Sequence, residues 1–523
     1  MLGQKSITID GAEVGVEAIL LGATTSIGGM LFGYDIGQVS GILLFEDFKR
    51  RFANHLIDGS FEWGPIWQSL LVSLMSIGGL LGALSGAYTA DWWGRRRSIF
   101  LGVGVFIVGY IVQITAMNSW IQMVMGRFVA GLGIGSLSVG VPLFQSETSP
   151  REFRGTVVAS YQLMIAMGIL SASSVNYGVE RLGEREVLWR VVIGIGILMS
   201  LPLAFGIMCV PESPRWLASR GDWEGARMSL ARLRGKKHDP GNAVIEEDLG
   251  VMRQVLENEG QVSQGPWLEC FSTSTKTPKV LYRTLLGFGI LSLQQWSGIN
   301  FFFYFGATIF RSAGVQNPLF TQNILGTVNV LMTLYGVFVV ERFGRRLPLF
   351  IGALWQAGWF FIFAAVCTAN PPHPKTGIIM IVCACMIIAS FAGTWGPMAW
   401  IVVGETFPPR TRAKQASLAT AGNWLGNFMI SFLTPVATRG IGYAFCFVFV
   451  VTNLAAALLV YLCLYESRAL SLEKVDLMYG EKGLKAWNSS KWVPPGYMTR
   501  RQRAWQADAS KQDGNGSKVE EDA

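Results

Sequence analysis

The side chains best suited to recognise a small molecule are uncharged amides that lie inside long apolar segments. A buried amide needs hydrogen-bond partners, and because it both donates and accepts, it suits a ligand rich in hydroxyl groups. Tryptophan faces nearby suit the C–H face of a sugar-like ring. The candidates are Gln162, Gln294, Gln295, Asn300, Asn329, Trp400, Asn423, Trp424 and Asn427. A single buried amide more often joins two membrane helices, whereas seven, mostly in the second half of the chain, favour a site for a neutral polar ligand.

Two opposite charges also lie inside apolar segments, Asp35 within residues 28–37 and Arg127 within residues 126–131. A bare charge at the centre of a bilayer is costly, so such residues usually pair and often mark a transport pathway. If Asp35 faces Arg127, its carboxylate could bind and release a proton during a transport cycle. A fixed structural ion pair explains the same two residues equally well, and the residues alone leave both interpretations open.

Acidic residues and arginines recur together in short loops of the two halves. The motif over residues 91–97 follows the second apolar segment, and a similar motif over residues 341–346 follows the eighth. The recurring residues are Asp91, Arg95, Arg96, Glu147 and Arg154 in the first half and Glu341, Arg345, Arg346, Glu405 and Arg412 in the second. Arginine pairs carboxylates bidentately, so these residues could lock one face of a carrier shut and release it. The alternative is that the arginines only anchor the loops on one side of a membrane.

Other chemistries lack the residues that they need. The sequence contains no Walker A motif and no His-Glu-x-x-His motif, and His55, His238 and His373 all lie in predicted loops. Cys383 and Cys385 are closer together than zinc ligands usually are. The basic residues are spread over short loops, so nothing indicates a nucleic-acid partner. We expect no metal, no cofactor and no catalytic residue, and therefore a protein that is not an enzyme.

Membrane-spanning helices must position these residues. Of the 523 residues, 51% are hydrophobic and only 15% are charged, against about 25% charged in an average globular protein. A span needs about 20 mostly apolar residues. Twelve spans are predicted, near residues 17–43, 67–89, 98–117, 121–143, 155–178, 189–210, 281–310, 321–340, 347–369, 377–403, 413–437 and 441–465. The predicted fold class is an all-α integral membrane protein with two six-helix halves.

The predicted organisation has five parts. They are an N-terminal segment (1–16), the first half (17–210), a polar linker with amphipathic helices (211–280), the second half (281–466) and a hydrophilic tail that we expect to be disordered (467–523). The loops on the linker side carry eleven basic residues and the opposite loops carry seven. This excess predicts that both termini lie in the cytoplasm. The repeated halves predict a multi-pass transporter of the cell membrane that rocks around a central site.

At these residues the chain resembles the sugar porter family of the major facilitator superfamily, in particular its fungal-type hexose carriers. The resemblance covers residues 17–470, nearly all of the chain except the tail. The motifs that carry it are Phe32-Gly-Tyr-Asp35, Asp91-x-x-Gly-Arg-Arg-Arg97, Gly126-Arg127, Glu147 with Arg154-Gly155, Pro211-Glu-Ser-Pro-Arg-Trp-Leu217, Gln294-Gln-x-x-Gly-Ile-Asn300, Glu341 with Gly344-Arg-Arg346, and Gly404-Glu-Thr-Phe-Pro408. Their occurrence together and in this order is specific.

The resemblance implies roles for individual residues. The sugar-contacting set that it implies is Gln162, Gln294, Gln295, Asn300, Asn329, Trp400 and Asn427, with Asn423 and Trp424 beside it. It also implies that Asp35, opposite Arg127, is the proton-coupling carboxylate of symporters, and it adds Glu212 to the gate residues. One departure is Ala392, where facilitators of the mammalian type carry a glutamate. The segment 28–33 resembles a pattern associated with pentose acceptance, a hint of xylose beside glucose.

We therefore interpret the chain as a monosaccharide carrier that works by alternating access, with the sugar, protons and the lipid bilayer as its partners. Proton symport is favoured, with uncoupled facilitation as the alternative. A membrane sugar sensor is the alternative of another class, although the tail of about 57 residues from Ser467 is short for one. The sequence ranks no monosaccharide above another. It leaves the oligomeric state open and is compatible with a monomer.

Overall fold

The fold is known here from a computed structural model. It describes residues 6–9, 12–57, 60–149, 154–183, 187–236, 239, 241–258, 266–273, 278–369, 374–408, 410–468, 470, 472–481 and 483–492. The predicted N-terminal segment is therefore described only in part, and of the predicted tail nothing beyond Trp492 is described.

The first half of the chain contains six long helices and two short antiparallel hairpins. Its elements are β1 (Ser6–Ile9), β2 (Ala12–Gly15), α1 (Val16–Ile42), α2 (Glu46–Phe52), β3 (His55–Ile57), β4 (Ser60–Glu62), α3 (Pro65–Trp93), α4 (Arg95–Ile114), α5 (Trp120–Thr148), α6 (Arg154–Glu180) and α7 (Leu188–Cys209). Strand β1 pairs with β2, and β3 pairs with β4. The hairpins were not predicted, but they lie outside the long helices and leave the all-α class of the membrane part unchanged.

The linker and the second half follow the same plan. The linker carries α8 (Pro214–Ser219), α9 (Trp223–Leu233), α10 (Ala243–Asn258) and a 3₁₀ turn (Trp267–Phe271). The second half contains α11 (Val280–Trp296), α12 (Ile299–Ser312), α13 (Pro318–Phe343), α14 (Arg346–Ala369), α15 (Pro374–Gly393), α16 (Trp395–Thr406), α17 (Arg412–Ile441), a 3₁₀ turn (Gly442–Cys446), α18 (Phe447–Cys463), α19 (Leu472–Gly480) and a last 3₁₀ turn (Ala486–Lys491).

Two of the predicted spans are broken helices. Gly298 separates α11 from α12 with a φ of 86°, which favours glycine because a side chain there is strained. Thr394 separates α15 from α16. Ten helical segments of the described chain are long and apolar enough to cross a membrane. One of them contains both α17 and α18, and the α11–α12 pair is too short in each part to be counted. A helix or a helix pair therefore lies at each of the twelve predicted spans.

The two halves meet face to face. We call the end of the bundle that carries α8 to α10 the linker end, and the end that carries β3 and β4 the hairpin end. At the linker end Ser417 Oγ donates to the carbonyl oxygen of Ala83 (2.8 Å), and at the hairpin end Ser69 Oγ donates to that of Phe432 (2.7 Å). These two hydrogen bonds hold α3 of the first half against α17 of the second half near both ends of the bundle.

Candidate functional site

Four of the predicted amides form one hydrogen-bonded chain in the second half. Asn300 Nδ2 donates to Gln295 Oε1 (2.6 Å), and Gln295 Nε2 donates to Asn423 Oδ1 (3.0 Å). Asn423 Nδ2 in turn donates to Gln294 Oε1 (2.8 Å). The break at Gly298 places Asn300 at the start of α12, close to the end of α11, which explains how residues of two helices join this chain.

Gln294 also bonds to the backbone at the second helix break. Its Nε2 donates to the carbonyl oxygens of Trp395 (2.9 Å) and Gly396 (3.0 Å), at the beginning of α16. Helix α16 carries Trp400, so Gln294 links α11 to the helix that presents a predicted sugar contact. With both ends of its amide bonded to protein atoms, Gln294 acts in this conformation as a positioning residue.

Other predicted amides retain unused hydrogen-bonding atoms. Asn427 is fully buried, and its amide interacts with the hydroxyl of Tyr304 but makes no hydrogen bond of ordinary geometry among the described residues. Oδ1 of Asn329 has no partner among those residues either. Among the residues that the sequence analysis missed, Tyr161 shares this property through its hydroxyl and Ser73 through Oγ. Buried polar atoms are almost always satisfied, so these unpartnered atoms are candidates to bind a ligand or water. Tyrosine and serine are too common in membrane helices to have been singled out from the sequence.

Aromatic rings of the first half contact aromatic rings of the second half. The ring of Trp400 meets the ring of Tyr161 edge to face, with centroids 5.9 Å apart. The ring of Trp424 lies 4.8 Å from that of Phe32, and Trp424 Nε1 donates to Ser138 Oγ across the interface (3.1 Å). Gln162, on α6 of the first half, lies against Gly396: a Cβ added to that glycine would be 3.3 Å from Gln162 Nε2. Gln162 of the first half and Gln294 of the second half therefore both lie at the beginning of α16, the helix that carries Trp400.

The predicted charge pair is formed. Arg127 Nη2 donates to Asp35 Oδ2 (3.2 Å), and the carboxylate is fully buried. The other carboxylate oxygen, Oδ1, accepts from Gln38 Nε2 (2.9 Å) and from the hydroxyl of Tyr110 (3.0 Å). The pair belongs to α1 and α5 of the first half, so its two charges are held within one half.

At the linker end of the first half, the predicted gate residues form a compact network. Arg95 donates twice to Glu147 (3.0 and 2.9 Å) and also pairs with Asp91 (3.3 Å). Glu212 accepts from the backbone N–H groups of Arg95 (3.0 Å) and Arg96 (3.2 Å), at the beginning of α4. Burial raises the pKa of the Glu212 carboxyl, and those N–H groups oppose the rise. The network thus ties the beginning of α4 to the end of α5 and to the linker.

The second half repeats the network. Arg345 donates to both carboxylate oxygens of Glu405 (3.2 and 2.8 Å). Glu466 accepts from the backbone N–H groups of Arg345 and Arg346 (both 3.1 Å), as Glu212 does in the first half. Ser467 Oγ donates to Glu405 (2.6 Å), as Ser213 Oγ donates to Glu147 (2.5 Å).

Glu466 and Ser467 were missed by the sequence analysis. The signal was present, because Glu466-Ser467 after the twelfth span repeats Glu212-Ser213 after the sixth. The remaining gate residues have other surroundings. Arg412 donates to the carbonyl oxygen of Phe407 (3.2 Å), while the side chains of Arg154 and Glu341 lie outside what the structure describes. The ion pairs given above each join helices of the same half, so the gate interpretation stays a prediction.

We expect the replacement of Glu466 by alanine to destabilise the second half. It leaves two N–H groups at the beginning of α14 without their carboxylate, and losing such a cap costs about 1 kcal/mol or more, or about 2–4 °C in the thermal unfolding midpoint of a unit the size of the second half. The measurement is thermal unfolding of the purified protein in detergent. Glu481→Ala, at an exposed position after α19, is the control. Equal midpoints for the two variants would show that the contacts of Glu466 add no stability.

Comparison with known proteins decides the family. The family described as "Sugar (and other) transporter" matches residues 21–479. The chain belongs to this sugar transporter family. Among relatives of this transporter, the high-affinity fructose transporter ght6 of Schizosaccharomyces pombe is 38% identical over 97% of this chain and 94% of its own length. The high-affinity glucose transporter ght5 of the same organism is 39% identical over 88% of this chain and 84% of its own.

Solved structures agree on the fold of this sugar transporter. The major facilitator superfamily proton:xylose symporter XylE, bound to 6-bromo-6-deoxy-D-glucose, matches with a TM-score of 0.75 at 24% identity, covering 88% of this chain and 99% of XylE. XylE from E. coli in its inward open conformation matches with a TM-score of 0.69 at 23% identity over the same shares. The transporter therefore has the major facilitator fold, and it is a multi-pass membrane protein and not an enzyme.

Proposed function

We propose that this transporter carries monosaccharides across the cell membrane by alternating access. The observation that carries the proposal is the set of buried, unpartnered polar atoms on Asn427, Asn329, Tyr161 and Ser73. Buried donors and acceptors suit a molecule with many hydroxyl groups, and the Trp400 ring beside Tyr161 suits the apolar C–H face of such a molecule. The names of the relatives, which are hexose, glucose and fructose transporters, support the same substrate class. Glucose is the substrate to test first, with xylose and other hexoses next.

The two halves are proposed to rock as units, with boundaries near 17–210 and 281–466. The internal networks around Glu147 and Glu405 keep the helix ends of each half together, which suits motion of one half against the other. The linker end is proposed to face the cytoplasm, because the arginine-rich loops lie there. The breaks at Gly298 and Thr394 allow α12 and α16 to tilt on their own and to close over a bound sugar.

Proton symport is the proposed coupling. Asp35 has the properties that a coupling carboxylate needs: it is buried, lies beside a positive charge and can accept a proton by releasing Arg127. The alternative is a facilitator in which the same two residues form a permanent pair.

The deciding experiment is uptake of labelled D-glucose into proteoliposomes with and without an inward proton gradient. Concentrative uptake only with the gradient would establish symport. The same final level in both cases would establish facilitation. Sugar binding without uptake would favour a sensor, and neither binding nor uptake of any monosaccharide tested would overturn the proposal.

A further inference from the structure

A small cavity lies in the first half, between Arg127 and the hairpin end. Its volume is about 20 Å³, and a buried water needs about 10–15 Å³ measured in this way, so there is room for about one water molecule. Its lining residues come from α1, α2, α3, α4, α5 and α7. The central sugar residues take no part in the lining, so this cavity is separate from the proposed sugar site.

Helix α2 covers the cavity on the side of the hairpin end. Phe48 of α2 lines it and is 2% exposed. The Phe48 ring packs on the rings of Trp63 (5.8 Å between centroids) and Trp189 (5.6 Å). The next residue to Phe48 along the chain, Asp47, accepts from Trp189 Nε1 (3.0 Å). These contacts fix the position of α2 over the cavity.

Arg127 gives the cavity its polar character. Its Nη2 donates to Asp35 and contacts Met75 Sδ (3.5 Å), but its Nε has no hydrogen-bond partner among the described residues although it is buried. Gln113 is the other polar side chain of the wall and is also buried. An unpartnered N–H of a charged group beside a cavity of this size is a site for an ordered water, which needs two to four polar partners.

The surroundings of the charge pair contain no described group that could replace Asp35 as the anion. The titratable groups that interact with the pair are the phenols of Tyr34 on α1, Tyr110 on α4 and Tyr304 on α12. All three are neutral at physiological pH. When Asp35 takes up a proton, the guanidinium of Arg127 therefore loses its only described anionic partner, and a buried charge without a partner is costly.

We propose that this cavity is a hydration site for Arg127. Its water is the hydrogen-bond partner of the guanidinium while Asp35 is protonated, and this water enters from the side covered by α2. This proposal rests on the proposed proton coupling. A hydronium ion transfers a proton to Oδ2 of Asp35 and becomes a water molecule. The hydrogen bond to Arg127 Nη2 is lost, and the guanidinium keeps its charge and donates to the cavity water. Release of the proton restores the ion pair. The cavity water thereby lowers the free-energy cost of protonating Asp35, and it does so without contacting the sugar.

The first test asks whether the cavity contains water. Hydroxyl radicals produced from water by X-ray pulses oxidise methionine sulfur next to that water. Met123 lines the cavity and is 1% exposed, and Met380 is equally buried but lines no part of the cavity. We expect oxidation of Met123 well above that of Met380 in the purified protein. Equal, low oxidation of both would show a dry cavity and would overturn the proposal.

The second test fills the cavity. Ile193→Phe places a larger side chain in its wall, and Val39→Ile adds a single methylene as a milder variant. Ile111→Phe makes the same exchange at an exposed position of α4 and is the matched control. In the filled variants we expect loss of the excess Met123 oxidation. We also expect gradient-driven uptake to require an external pH lower by about one unit, a tenfold higher proton concentration, with sugar exchange unchanged.

The outcomes separate the two proposals. If the unmodified protein shows no gradient-driven uptake, the proposed coupling fails and the water has no coupling role, whatever the oxidation of Met123. If coupling is present and the filled variants lose the oxidation but keep the pH profile of Ile111→Phe, the water is present without supporting Arg127. That result would overturn this inference and leave the proposed function intact.

Discussion

Replacing Asp35 by asparagine is expected to abolish sugar accumulation against a gradient while sugar exchange across the membrane continues. The asparagine side chain has nearly the same shape and can still bond to Gln38 and Tyr110, but it cannot take up and release a proton. A one-to-one symporter can accumulate sugar about tenfold per pH unit of gradient, since one unit corresponds to about 1.4 kcal/mol. The variant should reach only the external concentration. The measurement is uptake and counterflow in the same proteoliposomes.

The control for this variant must account for stability. Removing the carboxylate leaves Arg127 charged and buried, which can cost about 3–5 kcal/mol, so a loss of folded protein could imitate a loss of coupling. Retained counterflow excludes that explanation. Asp35→Glu keeps the ionisable group and should recover part of the accumulation. Undiminished accumulation in Asp35→Asn would contradict proton coupling through this residue, and the Asp35–Arg127 pair would then be structural.

Replacing Asn427 and Gln294 by leucine, one at a time, is expected to separate sugar affinity from stability. The amide of Asn427 makes no hydrogen bond of ordinary geometry in the sugar-free protein and interacts only loosely with the Tyr304 hydroxyl, so Asn427→Leu removes little bonding between protein atoms. A sugar that binds there would lose its partners and keep buried hydroxyls unsatisfied, at about 1–3 kcal/mol for each lost hydrogen bond, or about 5- to 150-fold in affinity. The thermal unfolding midpoint should stay the same or rise.

The Gln294→Leu variant should lose both properties. Its amide bonds to the carbonyl oxygens of Trp395 and Gly396 and to Asn423, and leucine would leave those groups buried without partners. We expect a lower unfolding midpoint together with weaker sugar binding, because α16 and Trp400 lose their support. The measurements are sugar binding by intrinsic tryptophan fluorescence and thermal unfolding in the same detergent. If Asn427→Leu were the less stable variant and bound sugar normally, the assignment of Asn427 to the sugar site would be wrong.

Much of the fold follows from the sequence because the bilayer restricts what a chain can do. Inside hydrocarbon every backbone polar group must be paired, so apolar runs of about 20 residues become helices. The twelve spans and the two halves were therefore predictable from length, hydropathy and the repeated acid and arginine motifs. The pairing of Asp35 with Arg127 was predictable for the same reason, since neither charge could remain alone in a membrane helix.

The tertiary structure decided what each polar residue does. In the sequence Gln294 and Asn427 are equivalent amides in apolar segments, but packing joins Gln294 to three protein groups by hydrogen bonds and leaves Asn427 with no hydrogen bond of ordinary geometry. The same holds for Glu466, whose role depends on a position next to the beginning of α14, 120 residues away along the chain. Hydropathy and spacing report on one helix at a time, whereas hydrogen bonds between helices depend on distances that arise only when the helices pack. The division of the amides into structural and ligand-binding members is therefore a property of the folded chain.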